Sequence, residues 1–197
     1  MLRRIGLTGN MGSGKTLVAS VFGFLGIPVY NADLRARTLM EESGHLRFGI
    51  QELLGPTAYL EDGSLNRAGI AAKVFSHPVL LQALNALVHP VVAQDSRQWA
   101  EQQSAAYTLH EAALLVQSGA FKDMYANILV AAPELMRIDR VRLRNKWSDK
   151  EILDRLRNQW PEEKLRPYCR FEIRNDGSLS LIEQVLAVHR GILKELG

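Results

Sequence analysis

Residues 9–16, Gly9-Asn10-Met11-Gly12-Ser13-Gly14-Lys15-Thr16, fit the pattern G-x-x-x-x-G-K-[ST] without a gap. The flanks decide what the pattern means. Arg4-Ile5-Gly6-Leu7-Thr8 reads as a short buried strand, and Leu17-Val18-Ala19-Ser20-Val21-Phe22 continues as a helix. Strand, glycine-rich loop and helix in that order make a phosphate-binding loop. The glycines let the backbone curl until successive N–H groups point inward at an anion. The helix behind them adds free N-terminal donors and its positive dipole end. On this reading Gly9 to Thr16 wrap the phosphates of a purine triphosphate, Lys15 reaches the β- and γ-phosphates, and the Thr16 hydroxyl holds Mg²⁺.

The bulk of the chain is that of a soluble globular protein. Its 197 residues suffice for one domain with lobes and a sizeable core. The single cysteine, Cys169, can form no internal disulfide, which suits a reducing cytoplasm. With no base or metal ligand beside it in sequence, Cys169 reads as a packing residue. Met1-Leu2-Arg3-Arg4 runs straight into the first strand, so no signal peptide is expected. No apolar run approaches the ~18 residues of a membrane helix, so no membrane partner is expected either. The net charge is only +3, but it is uneven: residues 137–170 hold eleven Lys or Arg against six Asp or Glu. Such a segment can grip nucleic acid, neutralise transferring phosphates, or form a solvated helix face. A phosphate loop upstream favours the second use, and no nucleic-acid partner is expected. Oligomeric state is not legible in the sequence.

Further strands are predicted at Gly26–Tyr30, Ala106–His110, Ala126–Ala131 and Cys169–Ile173. Between the second and third, residues 33–103 read as helical. Val79, Leu80, Ala83, Leu84, Leu87 and Val88 form one helix face there, with Pro78 placed to start that helix and Pro90 to end it or begin another. After the fourth strand a basic helical hairpin is expected, from Pro133 to about Lys146 and from Asp149 to Trp160, broken by Pro161. Asn175-Asp176-Gly177 makes a turn into a closing helix. Five strands alternating with helices imply a doubly wound α/β fold, a five-stranded parallel sheet covered on both faces. The expected organisation is a core of residues 1–32, 104–132 and 167–197, a helical lobe of 33–103 and a helical lid of 133–166.

Several side chains suit phosphoryl transfer. Ligands of parallel sheets bind beyond the carboxyl ends of the strands. Asp33, after the second strand, can therefore serve as the base that takes a proton from an attacking hydroxyl, or can simply cap a helix. Arg140 and Arg144 lie four apart on one helix face, with Arg137 and Arg142 beside that stripe. Guanidinium forks match phosphate oxygens and spread transition-state charge, and a hairpin carrying them can close as a lid. Glu111, after the third strand, can orient Mg²⁺ waters or be a mere strand-end acid. His77 and His89 each precede a proline in the helical lobe, and neither has metal-ligand spacing with another histidine. Asn145-Lys146-Trp147-Ser148-Asp149 has one residue too many for the guanine-reading N-K-x-D and sits in the basic hairpin, so that reading is rejected.

The ordered set of these residues resembles the dephospho-coenzyme A kinase family, within the P-loop kinases of the nucleoside-monophosphate-kinase type. The resemblance rests on Gly6-Leu7-Thr8-Gly9 leading into Gly12-Ser13-Gly14-Lys15-Thr16, and on Ala32-Asp33. It continues through Leu84-Asn85-Ala86-Leu87-Val88-His89-Pro90, Leu114-Leu115, Arg140 with Arg144, Arg155 with Gln159, and Asn175 with Gly177. It implies transfer of the ATP γ-phosphate to the ribose 3′-hydroxyl of dephospho-CoA, with Mg²⁺ as cofactor. Asp33 then matches the base, and Lys15, Arg140 and Arg144 the charge stabilisers. Asp33, His89 and Glu111 would face the acceptor, and the loop at Asn175 would lie by the ATP. Three places depart from the family pattern: Asn10-Met11 replaces its usual Gly-Ile, Asn31 the first acid of its Asp-Ala-Asp, and Ala113 to Gln117 its Pro-Leu-Leu-x-Glu. Two rival readings remain: a P-loop kinase for a nucleoside monophosphate or sugar acid, and a non-catalytic nucleotide sensor that grips nucleic acid.

Overall fold

The computed structural model describes residues 3–75, 77–145 and 147–197. Met1 and Leu2 of the N-terminal stretch and Lys146, the expected end of the first hairpin helix, lie outside them. The elements run β1 (Arg3–Thr8), α1 (Lys15–Phe24), β2 (Val29–Asn31), α2 (Ala32–Glu42), α3 (Gly44–Leu54), α4 (Arg67–Phe75), α5 (Pro78–Glu101), β3 (Tyr107–Glu111), β4 (Ala126–Ala131), α6 (Glu134–Asn145), α7 (Asp149–Arg157), α8 (Glu162–Leu165), β5 (Phe171–Arg174) and α9 (Leu181–Leu196). The chain divides into a sheet unit, residues 1–31 and 99–197, and a helical unit, residues 32–98.

In the sheet unit the strands are all parallel, in the order β2-β3-β1-β4-β5. Successive residues of a strand face opposite sides, and β4 shows what each side buries. Ile128 and Val130 join Ile5, Leu7, Val18, Phe22, Leu109, Ile173, Val185 and Ile192 in a core that includes α1 and α9. Leu129 and Ala131 instead pack with Val116 and Leu165, and Phe121 and Cys169 lie against that second cluster. Each fully buried Leu, Ile or Phe stabilises by about 1.5–3 kcal/mol, so two-sided burial explains why β4 is apolar apart from Asn127, whose Nδ2 donates to the Tyr168 carbonyl at 3.1 Å. Cys169 is the packing residue expected, its thiol pushed up to about 11 by burial. The strand order reverses at β1, between β3 and β4, and ligand crevices form outside the carboxyl ends of strands at such a point.

The helical unit has its own buried positions, among them Leu39, Leu46, Ile50, Leu54, Leu65, Ile70, Leu84 and Val88. Ser43 caps α3 by accepting the Leu46 N–H, and Gly55 at φ 84° ends it. The Tyr59 hydroxyl donates to the Met40 carbonyl at 2.7 Å under the Arg47 guanidinium. Pro90 does not break the chain into two helices, as its position suggested, but lies inside the single helix α5. An interior proline costs about 3 kcal/mol. Leu84, Val88, Val92, Ser96 and Ala100 are nevertheless all buried at a spacing of four, so the buried face continues past it. The strand predicted over 26–30 is shorter and later, because the chain turns at Gly26 with φ 80°.

Candidate active site: the phosphate loop and its supports

The loop between β1 and α1 is shaped by glycines that no other residue could replace without movement. Gly12 has φ 81°, and a Cβ there would lie 2.4 Å from the Arg137 carbonyl oxygen. The missing side chain therefore lets the first turn of α6 approach the loop. Gly14, at φ 94°, caps α1, and a Cβ would lie 2.1 Å from Asn175 Nδ2. That amide donates to the Ser13 carbonyl at 2.8 Å. Within the loop the Ser13 N–H donates to the Asn10 carbonyl at 3.1 Å, and Lys15 Nζ to the Gly9 carbonyl at 2.9 Å. Asn10 and Ser13 are buried. The first N–H groups of α1 have no partner within their helix, so the curl ends in donors suited to an anion.

In the first turn of α1, the Thr16 hydroxyl donates to Glu111 Oε1 at 2.9 Å. Glu111 is the last residue of β3, in register with Leu7 of β1 and Asn31 of β2, and only 4% exposed. Its other oxygen, Oε2, accepts from Asn31 Nδ2 at 2.9 Å. A buried carboxylate needs such donors, and an aspartate at position 31, usual in the resembled family, would bring a second negative charge instead. Thr16 and Glu111 thus form a hydroxyl–carboxylate pair of hard oxygens, the chemistry Mg²⁺ takes. Among the described residues no group of three or more His, Cys, Asp or Glu could hold a metal. A magnesium ion at Thr16 therefore fits only as one that draws most of its ligands from phosphates and water.

The arginine stripe resolves into separate tasks. Arg140 donates through Nη2 to the Asn175 carbonyl at 2.9 Å and through Nη1 to the Gly12 carbonyl at 3.4 Å, bridging α6, the loop and the turn after β5. Arg144, one turn further on, is exposed. Arg137 is buried and holds the root of α6: Nε donates to the Ala132 carbonyl at 3.0 Å and lies 3.6 Å from Glu162. Burial pushes the Glu162 carboxyl up. Arg142 pairs at the surface with Asp139 and Asp149, and Arg155 stacks on Trp147 at 4.0 Å. Between α7 and α8, residues 158–160 form a strap. Gln159 Oε1 accepts the Met11 N–H at 2.8 Å, and the Trp160 carbonyl accepts from Asn10 Nδ2 at 3.1 Å. The sequence marks Gln159 only as part of a family pattern; its contact with the loop spans 148 residues and no local signal announces it.

In the helical unit, Asp33 is exposed in the first turn of α2, where a carboxylate complements the helix dipole. His89 is half-buried in α5; burial holds its imidazole below the usual value, and the Asp33 charge partly opposes this. Arg35 and Asp95 form a two-pronged ion pair at 2.9 and 3.0 Å.

A parallel sheet in this order, with a glycine loop feeding α1 and an acid at the end of the neighbouring strand, defines a P-loop kinase. The fold is shared with a shikimate kinase from Acinetobacter baumannii, 15% identical, TM-score 0.55, covering 99% of this chain and 95% of that one. A family model described as dephospho-CoA kinase matches residues 3–180. The dephospho-CoA kinase of Salinibacter ruber is 36% identical over 179 residues, 89% of this chain and 90% of the relative. A crystal structure from Thermus thermophilus is 35% identical with TM-score 0.85, covering 100% of this chain and 98% of that one. The chain belongs to the dephospho-CoA kinase family.

Proposed function

We propose that the protein transfers the γ-phosphoryl group of ATP to the ribose 3′-hydroxyl of dephospho-CoA, forming coenzyme A. The observation that carries this reading is the family match across residues 3–180; the phosphate loop alone would serve many small-molecule kinases. The loop N–H groups and α1 bind the donor phosphates, and Lys15 exchanges the Gly9 carbonyl for a phosphate oxygen. Magnesium accompanying ATP would supply charge neutralisation at the donor phosphates. Thr16 would hold it, with Glu111 fixing the hydroxyl from behind. This contact supports a donor-side role for Glu111 beside the acceptor-facing one that the resemblance implies.

Asp33 accepts the proton of the attacking hydroxyl, a role that suits an exposed carboxylate in the helical unit. His89 serves the acceptor side. Arg140 and Arg144 stabilise the charge spread over the transferring group. The hairpin α6–α7 acts as a lid and the helical unit as the acceptor lobe, whose closure excludes water from ATP. The turn at Asn175 sits on the ATP side. A cytoplasmic location fits a chain with one cysteine and, among the described residues, no helix long and apolar enough to cross a membrane. The test is ADP release with Mg-ATP and a panel of acceptors. Dephospho-CoA should stimulate release far above shikimate and nucleoside monophosphates; stimulation by one of those and none by dephospho-CoA would refute the assignment.

A further inference from the structure

Both roots of the hairpin α6–α7 touch the backbone of the phosphate loop. At the entering root, the Arg137 carbonyl occupies the space a Gly12 side chain would need, and Arg140 donates to the Gly12 carbonyl. At the leaving root, three successive residues are each bonded across the chain. The Asn158 carbonyl accepts from Gln117 Nε2 at 3.0 Å, Gln159 Oε1 accepts the Met11 N–H at 2.8 Å, and the Trp160 carbonyl accepts from Asn10 Nδ2 at 3.1 Å.

The direction of these bonds is informative. Asn10 and Gln117 lie far apart in sequence. They nevertheless meet on one strap, each amide supplying an N–H to one of its carbonyls. The Gln159 bond falls on a decisive peptide unit. The Met11 N–H and the Asn10 carbonyl belong to the same plane, and that carbonyl accepts the Ser13 N–H which closes the loop's turn. The plane is thus pinned on one side by the loop and on the other by Gln159.

We propose that the strap of residues 158–160 positions the phosphate loop for its triphosphate, with Gln159 as the positioning residue and Asn10 and Gln117 anchoring the strap. The proposal rests on the reading of this loop as the ATP site. It is tested with the full chain and Gln159→Met, which keeps the side-chain length and removes the acceptor. ATP affinity, titrated without an acceptor, should fall about fivefold, the worth of one net hydrogen bond. KM for ATP should rise by a similar factor, kcat should fall by less, and KM for dephospho-CoA should stay within twofold. Amide exchange at Met11 should accelerate. Asn10→Gly should weaken ATP binding less, and the double variant should lose less than the two factors multiplied. ATP affinity unchanged in Gln159→Met overturns the proposal; so does an equal weakening of ATP and acceptor, which marks a merely structural role. Should Gln159→Met not fold, Gln117→Met is expected to weaken ATP about twofold and the acceptor not at all, and unchanged ATP affinity there overturns it. Absence of turnover with dephospho-CoA in the unsubstituted protein would instead refute the assigned reaction, leaving the ATP titration able to judge the strap.

Discussion

The phosphate loop and the first turn of α2 in the helical unit present their polar groups in opposite ways. Around the loop, Asn10, Ser13 and Glu111 are buried; partners from α6, the strap and the turn at Asn175 fix its backbone, and Glu111 of β3 holds the Thr16 hydroxyl. In the helical unit, the side chain given the base's role, Asp33, is exposed on a first helical turn. The difference teaches that the loop is organised by the chain itself, whereas Asp33, which we propose as the base, stands exposed on the helical unit. Binding of ATP and the chemical step should therefore come apart under substitution.

The largest effect is expected for Asp33→Asn. Turnover should fall about a thousandfold, within the range for loss of a general base, while calorimetry finds ATP affinity unchanged. A parallel loss of ATP affinity would break the comparison. Next, Arg140→Met should lower kcat about a hundredfold, the scale of one preorganised donor to transition-state charge. Arg144→Met should cost markedly less, because Arg140 is already fixed by the Gly12 and Asn175 carbonyls and Arg144 is exposed. Equal effects would show that the closed lid, not the preset contacts, decides their roles. Glu111→Gln should raise the magnesium concentration needed for half-maximal ATP binding about tenfold, as loss of a partner behind a metal ligand does.

The smallest effect concerns stability. His110 in β3 is 4% exposed and stacks on Tyr30 with ring centroids 5.2 Å apart. Burial, with the Arg4 charge adding and Asp123 opposing, holds its imidazole down at about 4 against an ordinary 6.5. A folded value below the unfolded one means that the unfolded chain takes up the proton first. The contribution is complete above pH 6.5 and is lost as pH falls from there toward 4. Urea midpoints of the unsubstituted protein should drop over that window, and His110→Phe should flatten that part of the profile.

Much of the sheet unit is legible in the sequence because its signals are local. The loop glycines, the largely apolar β4 and the basic hairpin each announce themselves within a few residues. Asp33 is legible as a residue at the exit of β2, yet its exposure depends on how α2 begins. Pro90 misleads because a helix-breaking signal is outweighed by a buried face extending to Ala100, which only tertiary packing rewards. The pairing of Thr16 with Glu111 crosses 95 residues and follows from strand order, which spacing alone does not give. The strap is the least legible part, since its contacts join positions 148 and 150 residues apart through side chains of ordinary type.

The central claim is most directly tested by phosphorus NMR of the product formed from Mg-ATP and dephospho-CoA. The account predicts one new phosphomonoester signal on the ribose 3′-oxygen, formed in step with ADP. Inorganic phosphate as the sole new product, or a phosphoryl group at any other oxygen, would contradict it.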